Sequence, residues 1–121
     1  MIAVIFEVRP RLDQKDAYLQ TARELGALLA GIDGFISIER FESLASPGKL
    51  LSLSFWRDEE AVSRWRNHSS HRDIQTLGRD SIFLDYRLRV ADVLRDYGLH
   101  ERKQAPDDSR HVHDMDPPSG A

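Results

Sequence analysis

Residues 35–56 read FISIERFESLASPGKLLSLSFW, and this stretch decides the fold. Apolar side chains recur at every second position on both sides of Ser46-Pro47-Gly48, which is typical of two β-strands. Serine, proline and glycine in succession favour a turn. The stretch therefore predicts a hairpin whose strands are Phe35–Glu42 and Lys49–Trp56.

A strand and a helix precede this hairpin. Residues 2–9 alternate, with Ile2, Val4, Phe6 and Val8 on one face, which predicts a strand that Pro10 ends. Apolar residues then recur at the helical period after Asp13, so we expect a long helix that closes near Gly31. The residues that define its apolar face are Tyr18, Ala22, Leu25 and Leu29.

Two short helices and a strand follow the hairpin. Asp58 is a suitable N-cap for a helix through residue 67 that carries Ala61, Val62 and Trp65 inward. Ser70, with an aspartate three residues later, resembles a capping box and predicts a second short helix. Alternation from residue 82 to residue 90 predicts the last strand, whose inward face carries Ile82, Leu84, Tyr86, Leu88 and Val90.

The element order is β-α-β-β-α-β, which predicts an α+β, ferredoxin-like fold with helices on one face of a four-stranded antiparallel sheet. We expect the other face to mix apolar residues with charges. Such a surface is too apolar for a monomer in water, so the sequence predicts a homodimer that packs sheet on sheet. The residues assigned to this face are Ile5, Phe35, Phe41, Leu50, Trp56 and Phe83 with Glu7, Glu39, Arg87 and Arg89.

The composition changes after Gly98. Residues 101–121 read ERKQAPDDSRHVHDMDPPSGA and hold three of the five prolines, with Val112 and Met115 as the sizeable apolar side chains. Such a segment buries too little surface to offset its ordering entropy. We therefore predict a folded domain over residues 1–98 and a flexible polar tail over 99–121.

Composition also excludes several classes of function. The absence of cysteine rules out disulfides, thiolate metal sites and cysteine nucleophiles. A net charge of −3 gives no general attraction to nucleic acid or to an anionic membrane surface. No apolar run reaches the roughly 20 residues of a membrane span. The first ten residues lack the features of a signal peptide, so we expect a cytoplasmic location.

Three motifs resemble the antibiotic biosynthesis monooxygenase family. Residues 53–62, LSFWRDEEAV, resemble its apolar strand, tryptophan, acidic pair and alanine with an aliphatic residue. Gly34-Phe35 resembles the pair that opens its second strand. The run Trp65, His68, His71 and Gly78-Arg79 resembles the W-x-x-H-x-x-H…G-R pattern of one branch. The similarity covers about residues 1–97.

This resemblance implies a dimeric α+β barrel. Some members of the family oxidise electron-rich aromatic or quinol compounds with O2, without flavin or metal, and other relatives degrade haem. The leading hypothesis is therefore a cofactor-independent monooxygenase that acts with O2 on a small aromatic, phenolic or quinol-type molecule. Such chemistry needs an apolar pocket and a base that removes a proton from the substrate.

Five residues are candidates for this pocket. His71 is the candidate catalytic base because it is expected to face the sheet from the second short helix. His68 lies in the predicted turn between the helices. Trp65, Phe6 and Tyr86 would form the walls, and the Tyr86 hydroxyl could orient a substrate oxygen. The alternative interpretation of each aromatic residue is ordinary core packing.

Two other functions fit the same fold. One is a non-catalytic dimer that binds a small ligand or has only a structural role. The other is haem degradation, for which relatives carry an asparagine on the first strand. This chain holds Glu7 or Val8 there and has no asparagine before Asn67, which argues against haem.

Overall fold

The computed structural model describes residues 1–68, 72 and 82–113. Its four strands form one antiparallel sheet in the order β2-β3-β1-β4, which confirms the ferredoxin-like α+β fold. The predicted helix after Ser70 lies outside the described residues. The elements are β1 (Ile2–Pro10), α1 (Lys15–Leu29), β2 (Phe35–Glu42), β3 (Leu50–Trp56), α2 (Glu59–Arg66), β4 (Phe83–Asp92) and α3 (Asp107–His113).

Helix α3 lies within the segment predicted as a tail. There Arg110 Nε donates a hydrogen bond to the carbonyl of Ala105 over 3.1 Å. The domain boundary at residue 98 stays a prediction. Within the described part of the chain, no helix is long and apolar enough to cross a membrane.

The pairing of β1 with β3 shows which residues of the two strands share the face that the helices cover. Ile2 lies opposite Trp56, and Val8 lies opposite Leu50. Directly opposed residues point to the same face, so all four point beneath the helices. Two buried clusters result. The first contains Val8, Tyr18, Leu50 and Ile82, and the second contains Leu29, Trp56, Ala61 and Val62.

The predicted faces of β3 were wrong. We expected Leu50 and Trp56 on the open side of the sheet, but both are buried under the helices, Trp56 with 2% of its surface exposed. Ser52 and Ser54 share this face, and the indole Nε1 of Trp56 donates to Ser54 Oγ over 2.9 Å. Leucine occurs at both even and odd positions of β3, so alternation alone could not show which face points to the helices.

Phe35 and Phe83 were also assigned to the wrong side. Phe35 packs edge-on against Trp56, with ring centroids 5.2 Å apart, and Phe83 packs edge-on against Tyr18 at 5.9 Å. Both lie where the strand register shifts. An extra residue at such a shift exchanges the faces to which the residues on its two sides point. In β2 the shift leaves the side chain of Ile36 53% exposed.

The open face therefore differs from the one predicted, although it is still mixed. It carries Ile5, Leu51, Leu53, Phe55 and Phe41 with Glu7, Glu39, Arg87 and Arg89.

A charged network fixes the start of α2. Asp58 Oδ1 accepts from the backbone N–H of Ala61 over 2.9 Å, which confirms the predicted N-cap. The guanidinium of Arg57 donates to both carboxylate oxygens of Asp33, at 3.2 and 3.1 Å, and to Asp58 at 2.9 Å. These bonds join the loop before β2 to the helix that carries Trp65. The Arg57 guanidinium is the main cause that lowers the pKa of Asp33 and of Asp58.

Gly34 permits the close approach of this loop to α2. Its φ is +92°, and a Cβ atom added there would lie 2.6 Å from the Cβ of Ala61. A side chain at this position would meet both backbone strain and a steric clash. Gly26, in the middle of α1, would meet nothing within 4 Å.

These two glycines give a matched pair of substitutions. Gly34→Ala should destabilise the protein by about 2 kcal/mol or more, because the left-handed backbone and the contact with Ala61 both oppose it. Gly26→Ala should stabilise it by about 0.5–1 kcal/mol, since alanine favours an open helical position. Urea unfolding followed by circular dichroism measures both, and equal effects of the two changes would contradict the close approach at Gly34.

The charged network predicts a stability that depends on pH. Asp33 and Asp58 have native pKa values below their ordinary 3.8, so folding favours their ionised forms. This contribution is present above the unfolded pKa and is lost as the pH falls through the lowered native values. The urea midpoint should therefore drop as the pH falls below about 4.

The variant Asp58→Asn distinguishes the contribution of the Asp58 charge to stability from that of its N-cap hydrogen bond, because asparagine still caps a helix. The variant should lose less stability than the parent on acidification, and added salt should reduce the difference between them. Acid profiles that superimpose in low salt would show that Asp58 contributes only through its hydrogen bond.

Candidate functional site

An apolar strip runs along the helix side of β1 and β4. Val4 lies opposite Val90, and Phe6 lies opposite Leu88, so these four side chains share one face. Val4 and Phe6 are half-buried, whereas Leu88 and Val90 are 49% and 43% exposed. We call these four residues the apolar floor. Because β4 is an edge strand, the floor is less covered than the rest of this face.

Aromatic rings close one end of the floor. Tyr86 lies 5.7 Å from Phe6 and 5.8 Å from Phe83 between ring centroids, and Phe83 also lies 5.7 Å from Phe6. Behind them stands Tyr18 of α1, which is buried, and burial raises the pKa of its phenol. Tyr86 is 42% exposed and so remains accessible at this end. We call Tyr18, Phe83 and Tyr86 the aromatic wall.

Trp65 and His68 lie towards the other end. Trp65, in the last turn of α2, packs against the cluster that also contacts Ile2 and Val4. The His68 ring lies 5.9 Å from the indole ring between centroids, and its backbone N–H donates to the carbonyl of Trp65 over 3.1 Å. The turn after α2 therefore holds an imidazole, half-buried, against an indole.

The structure therefore divides the predicted site residues into two groups. Phe6 and Tyr86 contact each other, and Trp65 and His68 contact each other. Val4 and Trp65 both pack against the same buried cluster, and Val4 neighbours Phe6 on the same face of β1, so the floor lies between the two groups. Val4 and Phe6 are about 7 Å apart along the strand, which is the length of one or two fused six-membered rings. His71 lies outside the described residues.

Sequence reasoning did not assign five residues of this arrangement to a site, namely Leu88, Val90, Phe83, Val4 and Tyr18. Leu88 and Val90 were assigned to the inward face of the last strand but not to a site, because alternation cannot distinguish covered from uncovered positions. Phe83 was assigned to the wrong face. The signal that could have identified the first two is topology, since the last strand of this fold lies at the edge of the sheet.

These side chains together form a largely apolar surface. Its floor is aliphatic, one end is aromatic, and an imidazole lies near the other end. Such a surface binds by apolar contact and stacking, with few polar groups to fix orientation. Among the described residues, no group of histidine, aspartate and glutamate side chains is arranged to hold a metal ion.

Two known proteins are similar to this chain in sequence. The chain is 49% identical over 104 residues to "Jasmonate monooxygenase ABM" of Pyricularia oryzae, an alignment that covers 86% of this chain and 48% of the relative. The chain thus spans about half the length of that protein. It is 30% identical over 93 residues to YqjZ of Bacillus subtilis, covering 77% of this chain and 79% of YqjZ.

Solved structures share the fold at lower identity. Rv0793 from Mycobacterium tuberculosis superimposes with a TM-score of 0.71 at 20% identity, covering 80% of this chain and 98% of that one. PA3566 from Pseudomonas aeruginosa gives a TM-score of 0.67 at 15% identity, covering 77% and 93%.

The family model for antibiotic biosynthesis monooxygenase matches residues 1–77, which include β1, both helices that flank the hairpin, and Trp65 and His68. This match and the 49% identity to a named monooxygenase agree with the motifs at residues 34–35 and 53–62. The chain therefore belongs to the antibiotic biosynthesis monooxygenase family.

Proposed function

We propose that this chain is a monooxygenase that oxidises a small, electron-rich ring compound with O2 and without a bound cofactor. The observation that carries the proposal is the apolar floor, half-exposed between the aromatic wall and the Trp65–His68 pair. Aliphatic side chains left accessible beside an edge strand favour a site for an apolar ligand. The monooxygenase named in Pyricularia oryzae supports the reaction class.

The substrate class follows from the chemistry that a site without a cofactor can support. A phenol or quinol-type compound with an acidic CH2 group loses a proton to a base, and its carbanion reduces O2. A C–O bond forms, and loss of water leaves a carbonyl in place of the CH2. One oxygen atom enters the product and the other leaves as water, so both electron pairs come from substrate and no external reductant is needed.

The floor and the histidines would divide this work. The floor excludes water from the ring and holds it flat, and the indole of Trp65 offers a stacking surface. Imidazole is the usual general base near neutral pH. We assign the base to His71, and His68, half-buried against Trp65, is the second candidate.

A second substrate class comes from the name of the Pyricularia oryzae relative, which is a jasmonate monooxygenase. Jasmonate is not a phenol, but its cyclopentanone ring has a CH2 group beside the ketone, which is weakly acidic and can enter the same chemistry. A substrate panel should therefore contain an anthrone-type phenol, jasmonic acid and, as the compound that lacks the acidic CH2 group, a simple quinol.

If the apolar floor binds the substrate, one charge introduced into it should lower the catalytic rate. Leu88→Glu should lower kcat/KM for the best substrate of the panel by on the order of tenfold or more, because an apolar ring would then have to desolvate a carboxylate. Leu88 is half-exposed, so the variant should still fold. O2 uptake measures the rate, and mass spectrometry after reaction under 18O2 should find one labelled atom in the product.

Leu44→Glu is the matched control, because Leu44 is fully exposed in the hairpin loop. It should retain the parent rate. Equal rates in both variants would place the substrate elsewhere. Binding without turnover of any panel member would instead favour the non-catalytic alternative, and a Soret shift on addition of haem would favour the haem-degrading one.

The base is tested separately. His71→Ala should lower kcat by about a hundredfold or more while changing KM little, as expected for the loss of a general base. His100→Ala, in the exposed segment after β4, serves as the control. Unchanged turnover in His71→Ala together with a large loss in His68→Ala would transfer the role to His68.

We also propose that the chain forms a homodimer through the open face of its sheet. One row across this face reads Glu39, Leu53, Ile5 and Arg89, from the β2 edge to the β4 edge. A two-fold axis parallel to the strands would set each β4 edge against the partner's β2 edge. The apolar centres would then meet, and each Arg89 would approach a Glu39 of the other copy.

Charge reversal tests this arrangement. Glu39→Arg should weaken dimerisation by on the order of tenfold, because two arginines would then face each other. Addition of Arg89→Gln, which removes the repelling cation, should restore part of the loss. Sedimentation equilibrium gives the dissociation constants, and Glu24→Arg on exposed α1 is the control. A parent that sediments as a monomer would contradict the proposal.

A further inference from the structure

Arg40 places a charge beneath the helices. It lies opposite Ser52 in the pairing of β2 with β3, and Ser52 is buried on the helix side of the sheet. Directly opposed residues share a face, so the Arg40 side chain extends below α1 and away from the face through which the dimer is proposed. There its Nη2 donates to the carbonyl of Ala22, at the long distance of 3.5 Å.

The charge of Arg40 is not compensated within the part of the chain that the structure describes. Among those residues, no carboxylate forms an ion pair with its guanidinium. Its Nε is buried without a hydrogen-bond partner. A partly buried cation without an anionic partner costs stability. Packing alone therefore does not explain an arginine at this position.

Arg40 also meets the phenol of Tyr18. Tyr18 precedes Ala22 by one turn of α1, and both residues belong to the buried face of that helix. Burial raises the pKa of the Tyr18 phenol, and the charge of Arg40 and its hydrogen bond to the phenol oppose that rise. Because a guanidinium has only donors, the phenol oxygen accepts this bond. Arg40 thus holds the hydroxyl end of Tyr18.

The ring of Tyr18 in turn supports the rest of the aromatic wall. It packs edge-on against Phe83, with ring centroids 5.9 Å apart. Phe83 itself lies 5.7 Å from Phe6 and 5.8 Å from Tyr86. Tyr18 is therefore fixed at both ends, by α1 at its backbone and by Arg40 at its hydroxyl. A ring fixed in this way leaves Phe83 little room to retreat from the floor.

We propose that Arg40 is a positioning residue that limits the size of the ring that the apolar floor accepts. It fixes Tyr18, and Tyr18 keeps Phe83 and Tyr86 closed against the end of the floor. The inference rests on the proposed function, in which the floor binds the substrate. Without this anchor the wall can move outward, so that a short ring system is held less firmly and a longer one fits better.

Two variants remove the anchor from opposite sides. Arg40→Met removes the guanidinium and keeps the length of the side chain, whereas Tyr18→Phe removes the hydroxyl and keeps the ring. Equilibrium dialysis under argon, which prevents oxidation, gives the dissociation constants of 2-naphthol and of 2-hydroxyanthracene, which is one ring longer. The parent should prefer 2-naphthol, and each variant should reduce that preference by at least about threefold.

Kinetics with the panel compound that the parent oxidises best provide a second measurement. Both variants should raise KM and leave kcat nearly unchanged, because the base lies at the other end of the floor. The double variant should lose no more preference for 2-naphthol than either single variant, since both changes break one contact. It should also be at least as stable in urea as Arg40→Met, because it leaves no phenol unpaired.

Arg23→Met and Tyr97→Phe are the matched controls. Arg23 lies on the exposed side of α1, and Tyr97 lies in the segment after β4. Both controls should keep the preference of the parent, and Arg40→Lys, which keeps the cation without the planar fork, should lose part of it.

The outcomes separate the anchor from the proposed function. An unchanged preference in Arg40→Met and Tyr18→Phe would overturn the anchor, as would additive losses in the double variant or a parent that does not prefer 2-naphthol. A parent that prefers 2-naphthol but oxidises no member of the panel would overturn the proposed function alone, because this preference does not depend on turnover. A parent that binds neither phenol would overturn both.

Discussion

The register of β1 between its two neighbours is the constraint on which the rest of the structure depends. Val8 lies opposite Leu50 on one side and Tyr86 on the other, so every second residue of three strands points beneath the helices. A slip of one residue would turn Glu7 and its ionic partners into the core. The indole of Trp56, which is buried and hydrogen-bonded to Ser54 Oγ, fixes the face of β3 against which β1 pairs.

This register gives the two faces of one thin sheet different chemistry. The helix side of β4 carries the aliphatic side chains of Leu88 and Val90, and the open side carries the guanidinium groups of Arg87 and Arg89. Leu88 and Val90 remain partly exposed because β4 lies at the edge of the sheet. Substitutions on one face of β4 can therefore be made without changing the side chains of the other face.

Much of the fold could be predicted from local patterns. The bounds of β2 and the cap at Asp58 follow from alternation and from side-chain chemistry, and both were confirmed. The faces of β3 could not be predicted, because leucine occupies both parities. Nor could the positions of Phe35 and Phe83, because each depends on a register shift that pairing reveals and sequence does not.

The candidate site was predicted only in part, because its accessibility also depends on the order of strands in the sheet. Phe6 and Tyr86 do contact each other on the helix side, as their alternation indicated. The floor beside them also contains Val4, Leu88 and Val90, which look like ordinary core residues in the sequence. What makes them accessible is the position of β4 in the sheet, a tertiary property that no local pattern encodes.

The charges of β4 have a consequence for solubility. An edge strand presents unpaired backbone groups that can template another strand, and natural proteins protect such edges with charge. β4 carries Arg87 and Arg89 on one face and has Asp85 and Asp92 near its ends. An antiparallel copy of the same strand that is centred on Leu88 would bring each Arg87 against an Arg89, so this edge disfavours sheet extension in that register.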